Sequence, residues 1–373
     1  MLIKKIIILP IIFLFSYLFA VFTHAIDISA SAAVVINADT KEIIYEKNAF
    51  EKRSMASTTK IMTSVLAIES GRMNDSVEVT SSALTEGSSI GLKAGYVLTL
   101  SDIVYGMLLE SGNDAANVCA LHLGGSFEEF ASMMNRKASE LGMTETNFVT
   151  PSGLDDENHY TTAYDMAVLG AYCIKNPVFR EICSDKKHSV TFTEPDITVS
   201  FSNHNKLLDS CEGVFGVKTG FTKKSGRCLV SACERDGAEL ICVTLNAPDD
   251  WNDHIKLYDA SFAELNRSTM KLTSLSEVTV YGGIGDKAEI YCDEYVHHYK
   301  EDGTLTQQII LPDIIYAPVK KGEILGEVRY YSDEALVNTG YIYSKSDIPC
   351  AEETYKSKRS LAELLTYFLK RKD

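Results

Sequence analysis

Two features are missing from this sequence, and each absence argues against a class of function. The first is an excess of basic residues: the chain has 36 lysines and arginines but 51 acidic residues, and its net charge is −15. A surface of that sign repels phosphate backbones, so nucleic acid is not expected as a partner. The nine cysteines include no C-x-x-C pair, which argues against a zinc site. Cys228 and Cys242 lie in apolar runs and are predicted to be small core residues.

The first 25 residues are predicted to be an export signal. Lys4 and Lys5 precede an apolar run over residues 6–22, and Ala25 is a small residue suited to cleavage. The alternative is an uncleaved anchor, because the run is near the lower length limit for a membrane span. We expect cleavage near Ala25.

A serine and a lysine one helical turn apart form the first chemical motif, Ser57-x-x-Lys60. Apolar residues recur with helical spacing from Met55 onward, so a helix is predicted there with Ser57 in its first turn. A lysine that loses its proton can act as base toward a serine hydroxyl. The bland alternative is helix capping by the serine. A second match, Ser184-x-x-Lys187, lies in a polar stretch predicted to be a loop.

Two further motifs follow in the chain. Helices are predicted over residues 101–110, capped by Ser101, and from Asp114 to the glycines at 124–125, so Ser111-Gly112-Asn113 is a tight link between them. Residues 213–222 are predicted to be a strand that carries Lys218-Thr219-Gly220. Lys224-Ser225-Gly226 fits the same pattern, but it falls in the turn after that strand. The alternative for Ser111-Gly112-Asn113 is a simple turn between helices. The alternative for Lys218 is an exposed strand lysine.

Composition changes near residue 266. Short alternating strands with glycine turns predict a small β domain, a β-sandwich, over residues 270–349. Residues 354–373 form a basic tail in which apolar side chains recur at helical spacing. These are Leu361, Leu364, Leu365 and Phe368. A basic amphipathic helix of this kind favours a membrane surface, and the alternative is packing on the β domain. Residues 26–266 are predicted to form one α+β domain with an antiparallel sheet and helices against it.

The order and context of the three motifs resemble the penicillin-binding serine acyl-transferases. Within them the chain is similar to the low-molecular-weight D-alanyl-D-alanine carboxypeptidases, peptidase family S11. Residues 150–154 (TPSGL) and 162–167 (TAYDMA) also match, and the resemblance spans essentially the whole chain. It implies a β-lactamase/transpeptidase-like catalytic domain, a small all-β domain and a C-terminal amphipathic helix.

The resemblance also implies a site and a substrate. It assigns catalysis to Ser57, Lys60 and Ser111, and substrate binding to Asn113, Lys218, Thr219, Gly220 and Phe221. Ser57 is the acylated nucleophile, Lys60 its base, and Ser111 a proton relay to the leaving amine. The implied substrate is a peptidoglycan stem peptide ending in D-Ala-D-Ala, β-lactams are the implied inhibitors, and no metal or other cofactor is implied. The implied location is the outer face of the cytoplasmic membrane or the cell wall.

One departure from the family pattern concerns the substrate carboxylate. Some members place an arginine after the sheet that carries the third motif, whereas residues 247–254 contain none here. Arg227 is a nearby cation of unassigned position. Three alternatives remain open at the level of sequence: a serine β-lactamase, an endopeptidase that cuts D-Ala cross-links, and a catalytically weak wall-binding protein.

Overall fold

The structure is a computed structural model that describes residues 26–351, except 273–274, 301–303 and 333. The chain divides into two compact units at residues 264 and 265, and each is described by itself. The predicted signal (1–25) and tail (354–373) lie outside the described residues. No helix in the described part of the chain is long and apolar enough to cross a membrane.

The first unit is built around a five-stranded antiparallel sheet with the order β2-β1-β9-β8-β7. All six residues of β1 are buried, because helices cover both faces of the sheet. The strands of this unit are β1 (Ala32–Asn37), β2 (Ile43–Lys47), β3 (Ser76–Glu78), β4 (Val97–Thr99), β5 (Lys187–Phe192), β6 (Ile197–Ser202), β7 (Val214–Thr222), β8 (Gly226–Arg235) and β9 (Ala238–Leu245). β3 pairs with β4 and β5 with β6 as separate hairpin-like pairs. β7 is the edge strand of the main sheet, so one side of it is open to a ligand.

Helices pack on this sheet and on one another, and an apolar core lies between helices and one face of the sheet. They are α1 (Lys60–Glu69), α2 (Leu100–Leu108), α3 (Asn113–Gly124), α4 (Phe127–Glu140), α5 (Ala163–Ile174), α6 (Pro177–Ser184), α7 (Leu207–Ser210) and α8 (Asp250–Glu264). The predicted α+β class with an antiparallel sheet is confirmed. Cys228 and Cys242 are fully buried, and all nine cysteines are unpaired.

Three local predictions were wrong in detail. The α2 helix is capped by Thr99, not Ser101, since Thr99 and Asp102 form a reciprocal capping box. The helix predicted from Met55 begins as a 3₁₀ turn, and its α-helical part starts only at Lys60. Ser184, predicted to lie in a loop, is the last residue of α6, a helix that was not predicted from the sequence.

In the described residues of the second unit, every regular element is a strand. They are β10 (Asn266–Met270), β11 (Glu277–Tyr281), β12 (Lys287–Cys292), β13 (Tyr295–Tyr299), β14 (Leu305–Ile310), β15 (Ile315–Tyr316), β16 (Ile324–Ser332) and β17 (Ala335–Ser344). Six form one sheet in the order β14-β16-β17-β12-β11-β15, and β10 pairs with β13. Val328, Tyr330 and Ile342 lie at the centre of its own small core. The predicted all-β character is confirmed.

Candidate active site

Ser57 lies in the 3₁₀ turn Ala56–Thr59 that leads into α1. Two threonine hydroxyls hold this turn closed: Thr58 Oγ1 donates to Met55 O at 2.6 Å, and Thr59 Oγ1 donates to Ala56 O at 2.8 Å. Both threonines are fully buried, whereas Ser57 is half-buried. The turn therefore holds Thr58 and Thr59 in the core and leaves the Ser57 hydroxyl facing the surface.

Lys60 is completely buried one turn further on, and its amine contacts three oxygen atoms. Lys60 Nζ lies 2.9 Å from Ser57 Oγ, 2.7 Å from Asn113 Oδ1 and 2.7 Å from the carbonyl oxygen of Ser152. The amide and carbonyl oxygens are pure acceptors, so each takes a proton from the amine. A neutral amine then has one lone pair left, and it faces the Ser57 hydroxyl. The geometry is that of a base beside a nucleophile.

The surroundings of Lys60 favour that neutral state. Burial lowers its pKa well below the usual value, and the nearby cation of Lys218 lowers it further, while Asp114 acts in the opposite direction. Burial also lowers the pKa of Lys218 to about 7, opposed by Glu110. Burial together with a second lysine nearby is a general means of obtaining a free lysine amine near neutral pH.

A loop from a distant part of the chain completes the pocket around Lys60. Thr63 Oγ1 donates to Pro151 O at 2.6 Å, and the next carbonyl, that of Ser152, accepts from Lys60. Gly153 has a φ of +84°, and a Cβ there would lie 1.9 Å from Ala56 O. No other residue fits without displacing the 3₁₀ turn Ala56–Thr59, which we call the nucleophile turn because it carries the predicted nucleophile Ser57. The match of residues 150–154 to the family pattern thus has a physical reason.

His159 is a supporting residue that the sequence analysis missed. Its Nδ1 accepts from the backbone N–H of Val149 at 2.9 Å and of Thr150 at 3.3 Å, so Nε2 carries the proton. Nε2 then donates to Thr59 Oγ1 at 2.8 Å. Burial lowers the pKa of His159 to about 4, which keeps the ring neutral. The histidine links the 150–154 loop to the nucleophile turn, and no sequence signal marks it.

Ser111 lies in the link between α2 and α3, as predicted, whereas Asn113, predicted to be in the link as well, is the first residue of α3. Ser111 has a φ of +62°, an uncommon value for a serine, and its side chain lines the cleft. Asn113 is buried: its Oδ1 accepts from Lys60, and its Nδ2 donates to Glu86 O at 2.9 Å. Its hydrogen bonds hold Lys60 in place. Its predicted contact with a substrate amide stays a prediction.

The edge strand β7 brings the third motif to the same place. Lys218 is 1% exposed rather than an exposed strand lysine, and its Nζ donates to Thr219 O at 3.1 Å. Thr219, Gly220 and Phe221 line the cleft. A Cβ on Gly220 would lie 3.0 Å from the backbone nitrogens of both Ser57 and Thr58. Glycine therefore lets β7 approach the nucleophile turn closely.

These elements enclose a cleft of about 310 Å³. Its lining residues are Ser57, Ser88, Ser111, His204, Lys206, Thr219, Gly220, Phe221, Arg227, Asp250 and Trp251. Five of the eight predicted site residues thus line the cleft, while Lys60, Asn113 and Lys218 are buried behind it. Ser88, His204, Lys206, Asp250 and Trp251 were not predicted from the sequence.

Neither of the two duplicate motifs is at the cleft. Ser184 Oγ donates to Arg180 O at 2.6 Å, and Lys187 is exposed at the start of β5. Ser225 bonds to Thr222 inside the turn between β7 and β8, as expected for the rejected Lys-Ser-Gly match.

Comparison with known proteins identifies a family for each of the two units. The family described as D-alanyl-D-alanine carboxypeptidase, peptidase S11, matches residues 20–249. The domain described as penicillin-binding protein 5, C-terminal domain, matches residues 268–350. The first unit is therefore a transpeptidase-like catalytic domain, and the β unit is the C-terminal domain that accompanies it in penicillin-binding protein 5.

Individual relatives match along most of their length. D-alanyl-D-alanine carboxypeptidase DacF of Bacillus subtilis is 30% identical over 349 residues, 90% of each chain. D-alanyl-D-alanine carboxypeptidase DacC of Escherichia coli is 32% identical over 334 residues, 82% of this chain and 81% of its own. The crystal structure of penicillin binding protein 5 from Haemophilus influenzae is 28% identical with a TM-score of 0.63, over 87% of this chain and 98% of that one. The chain belongs to the S11 family of serine D-alanyl-D-alanine carboxypeptidases.

Proposed function

We propose that this chain removes the terminal D-alanine from peptidoglycan stem pentapeptides through an acyl-enzyme on Ser57. The observation that carries the proposal is the position of the buried Lys60 amine. Its Nζ lies 2.9 Å from Ser57 Oγ and donates its protons to two other acceptors, Asn113 Oδ1 and Ser152 O. A serine hydroxyl needs such a base, because its own pKa is far above neutral. The family acts on D-Ala-D-Ala ends and binds β-lactams.

In the acylation step Ser57 Oγ attacks the carbonyl carbon of the penultimate D-alanine while its proton passes to Lys60 Nζ. The developing oxyanion is received by the backbone N–H groups of Ser57 and Phe221. Support comes from Gly220, which allows β7 to reach the backbone of the nucleophile turn. The tetrahedral intermediate then collapses, and the bond to the terminal D-alanine nitrogen breaks.

The leaving amine takes up a proton as it departs. The Ser111 hydroxyl lines the cleft and delivers this proton, and it is replenished through Lys60 or Lys218. Thr219, with Lys218 behind it, receives the terminal carboxylate. Water then hydrolyses the ester on Ser57, with Lys60 again accepting a proton. A β-lactam acylates the same serine, but its leaving amine stays tethered to the acyl group, so the adduct persists.

A two-part assay on residues 26–373 tests the proposal. We expect release of free D-alanine from N-acyl-L-Lys-D-Ala-D-Ala, measured by mass spectrometry. We also expect a mass gain of one drug molecule after brief exposure to benzylpenicillin. Rapid penicillin hydrolysis without D-alanine release would instead indicate a β-lactamase. Neither D-alanine release nor an adduct would indicate a wall-binding protein and contradict the proposal.

We further propose that the mature chain acts outside the cell and is held at the membrane surface by residues 354–373. Apolar residues at helical spacing with basic residues on either side of them in the sequence support a helix lying in the lipid interface. Deletion of residues 354–373 is expected to move the mature protein from the membrane fraction to the soluble fraction, as detected by fractionation and immunoblotting, with kcat/KM on soluble peptide unchanged.

A matched control keeps the length of that tail. Replacing Leu364 and Phe368 with glutamate removes two apolar side chains and is expected to release the protein as well, whereas replacing Ser360 with glutamate is expected to leave it bound. If the truncated protein stays with membranes after signal cleavage, the tail is not the anchor.

A further inference from the structure

Arg227 is a cation in the cleft to which the three sequence motifs assign no role. It lies at the start of β8, and its side chain lines the same cleft as Ser57, Ser111 and Thr219. Its side chain is 40% exposed, so a ligand in the cleft can reach it. The stretch after β9, where some family members carry a carboxylate-binding arginine, has none.

The register of the sheet places Arg227 beside the third motif. Arg227 is directly opposite Phe221 in the antiparallel pair of β7 and β8. Side chains of opposed residues share a face of the sheet, and so do residues two apart on one strand. Arg227, Phe221 and Thr219 are therefore on one face, with Arg227 diagonal to Thr219. A carboxylate bound at Thr219 is within reach of the guanidinium.

Two neighbours hold the guanidinium in a fixed orientation. Its Nε donates to Asp250 Oδ1 at 2.9 Å, and its Cζ lies over the Trp251 ring, 5.3 Å from the ring centroid. Asp250 is buried, with 2% of its side chain exposed, and it also accepts from the Trp251 backbone N–H at 3.0 Å. In the part of the chain that the structure describes, neither Nη atom has a hydrogen-bonding partner. The two-pronged edge that suits a carboxylate is thus left free.

The other basic side chains near the cleft are less suited to this contact. Lys218 is buried, and its amine is bonded to the backbone of Thr219. His204 lies 3.3 Å from the carboxylate of Glu110. Lys206 lines the cleft but is an exposed lysine with a single charged atom, which offers no bidentate geometry.

We propose that Arg227, oriented by Asp250 and Trp251, binds the terminal carboxylate of the substrate next to Thr219 and makes the enzyme selective for free carboxyl ends. The proposal rests on the carboxypeptidase function given above, because it assigns one more contact to that substrate. Asp250 is a positioning residue that acts through Arg227. An arginine from the neighbouring strand β8 thereby supplies the charge that the stretch after β9 lacks.

Three substrates separate this contact from the chemistry. The first is N-acyl-L-Lys-D-Ala-D-Ala, and the second is the same peptide ending in D-alaninamide. The third is an N-acyl-D-alanyl thioester of an uncharged thiol, which reports on Ser57 acylation without any terminal carboxylate. For Arg227→Gln we expect kcat/KM on the acid to fall by about 30- to 1000-fold, mainly through KM, because a charged partner of a buried carboxylate is lost. The thioester should fall far less, and the ratio of acid to amide should approach one.

Two further variants sharpen the test. Asp250→Asn should lower the acid-to-amide ratio in the same direction but less, since Arg227 keeps its charge and loses its orientation. Lys206→Gln, which removes the exposed lysine of the cleft, should leave the ratio unchanged.

The outcomes that contradict the proposal differ from those that contradict the proposed function. An unchanged acid-to-amide ratio in Arg227→Gln overturns the assignment of Arg227. An equal loss on acid and thioester also overturns it, because Arg227 would then be needed for structure rather than for the carboxylate. A wild-type enzyme that releases no D-alanine and forms no penicillin adduct overturns the proposed function itself, before any variant is made.

Discussion

Ser57→Ala is expected to abolish both D-alanine release and the covalent penicillin adduct. Removing the nucleophile of a serine acyl-transfer enzyme costs roughly 10⁴- to 10⁶-fold in kcat, so the residual rate should be near the detection limit. The fold should survive, because the Ser57 side chain is half-buried and, among the residues that the structure describes, its hydroxyl bonds only to Lys60. Intact mass after exposure to benzylpenicillin, together with a D-alanine assay, measures both effects.

The chain contains its own control for this experiment. Ser184 and Lys187 have the same spacing as Ser57 and Lys60, but Ser184 caps back onto Arg180 O within α6 and Lys187 is exposed on β5. Ser184→Ala should therefore acylate at the wild-type rate. A penicillin adduct that persists in Ser57→Ala would move the nucleophile elsewhere.

The residues proposed to carry the chemistry could be named from sequence, because the order of the three motifs resembles that of one family. Ser57, Ser111 and Thr219 come from three elements far apart in the chain, and the structure places all three on one cleft. The supports behind them were not predictable. Ser152 acts through its backbone carbonyl, 92 residues from Lys60, and a carbonyl leaves no signature in residue type.

Local errors have identifiable physical causes. Threonine and serine are both residue types that commonly cap helices, and only the reciprocal bond with Asp102 selects Thr99 over Ser101. The missed helix α6 did carry a signal: Asn176 caps it and Pro177 is its first residue, a combination typical of helix starts. Arg227 could not be placed, because its role depends on a strand register and on Asp250, 23 residues away.

Lys60→Gln is expected to slow acylation of Ser57 by roughly 10²- to 10⁴-fold, the usual contribution of a positioned general base. Glutamine can still bond to Asn113, but it cannot accept the serine proton. The second-order rate of penicillin acylation, followed by intact mass, measures the loss. Lys187→Gln is the matched control, because it removes the exposed lysine of the duplicate motif and should leave this rate unchanged. A Lys60→Gln enzyme that acylates normally would contradict the assignment of the base.

The pH dependence of the wild-type enzyme gives an independent measure of the same residue. Lys60 accepts a proton only when neutral, so the acylation rate should fall as pH is lowered through its pKa. That pKa lies well below the usual value for lysine, because Lys60 is buried and lies near the Lys218 cation.

Lys218→Gln tests the electrostatic part of this argument. Removing the Lys218 charge takes away one of the two causes that lower the pKa of Lys60, so that pKa should rise. The acidic limb of the rate profile should then move to higher pH. Because the pKa of Lys218 is about 7, its charge acts mainly below that pH, and the variant should differ most from wild type on the acidic side. A shift to lower pH, or none, would mean that another group controls the limb.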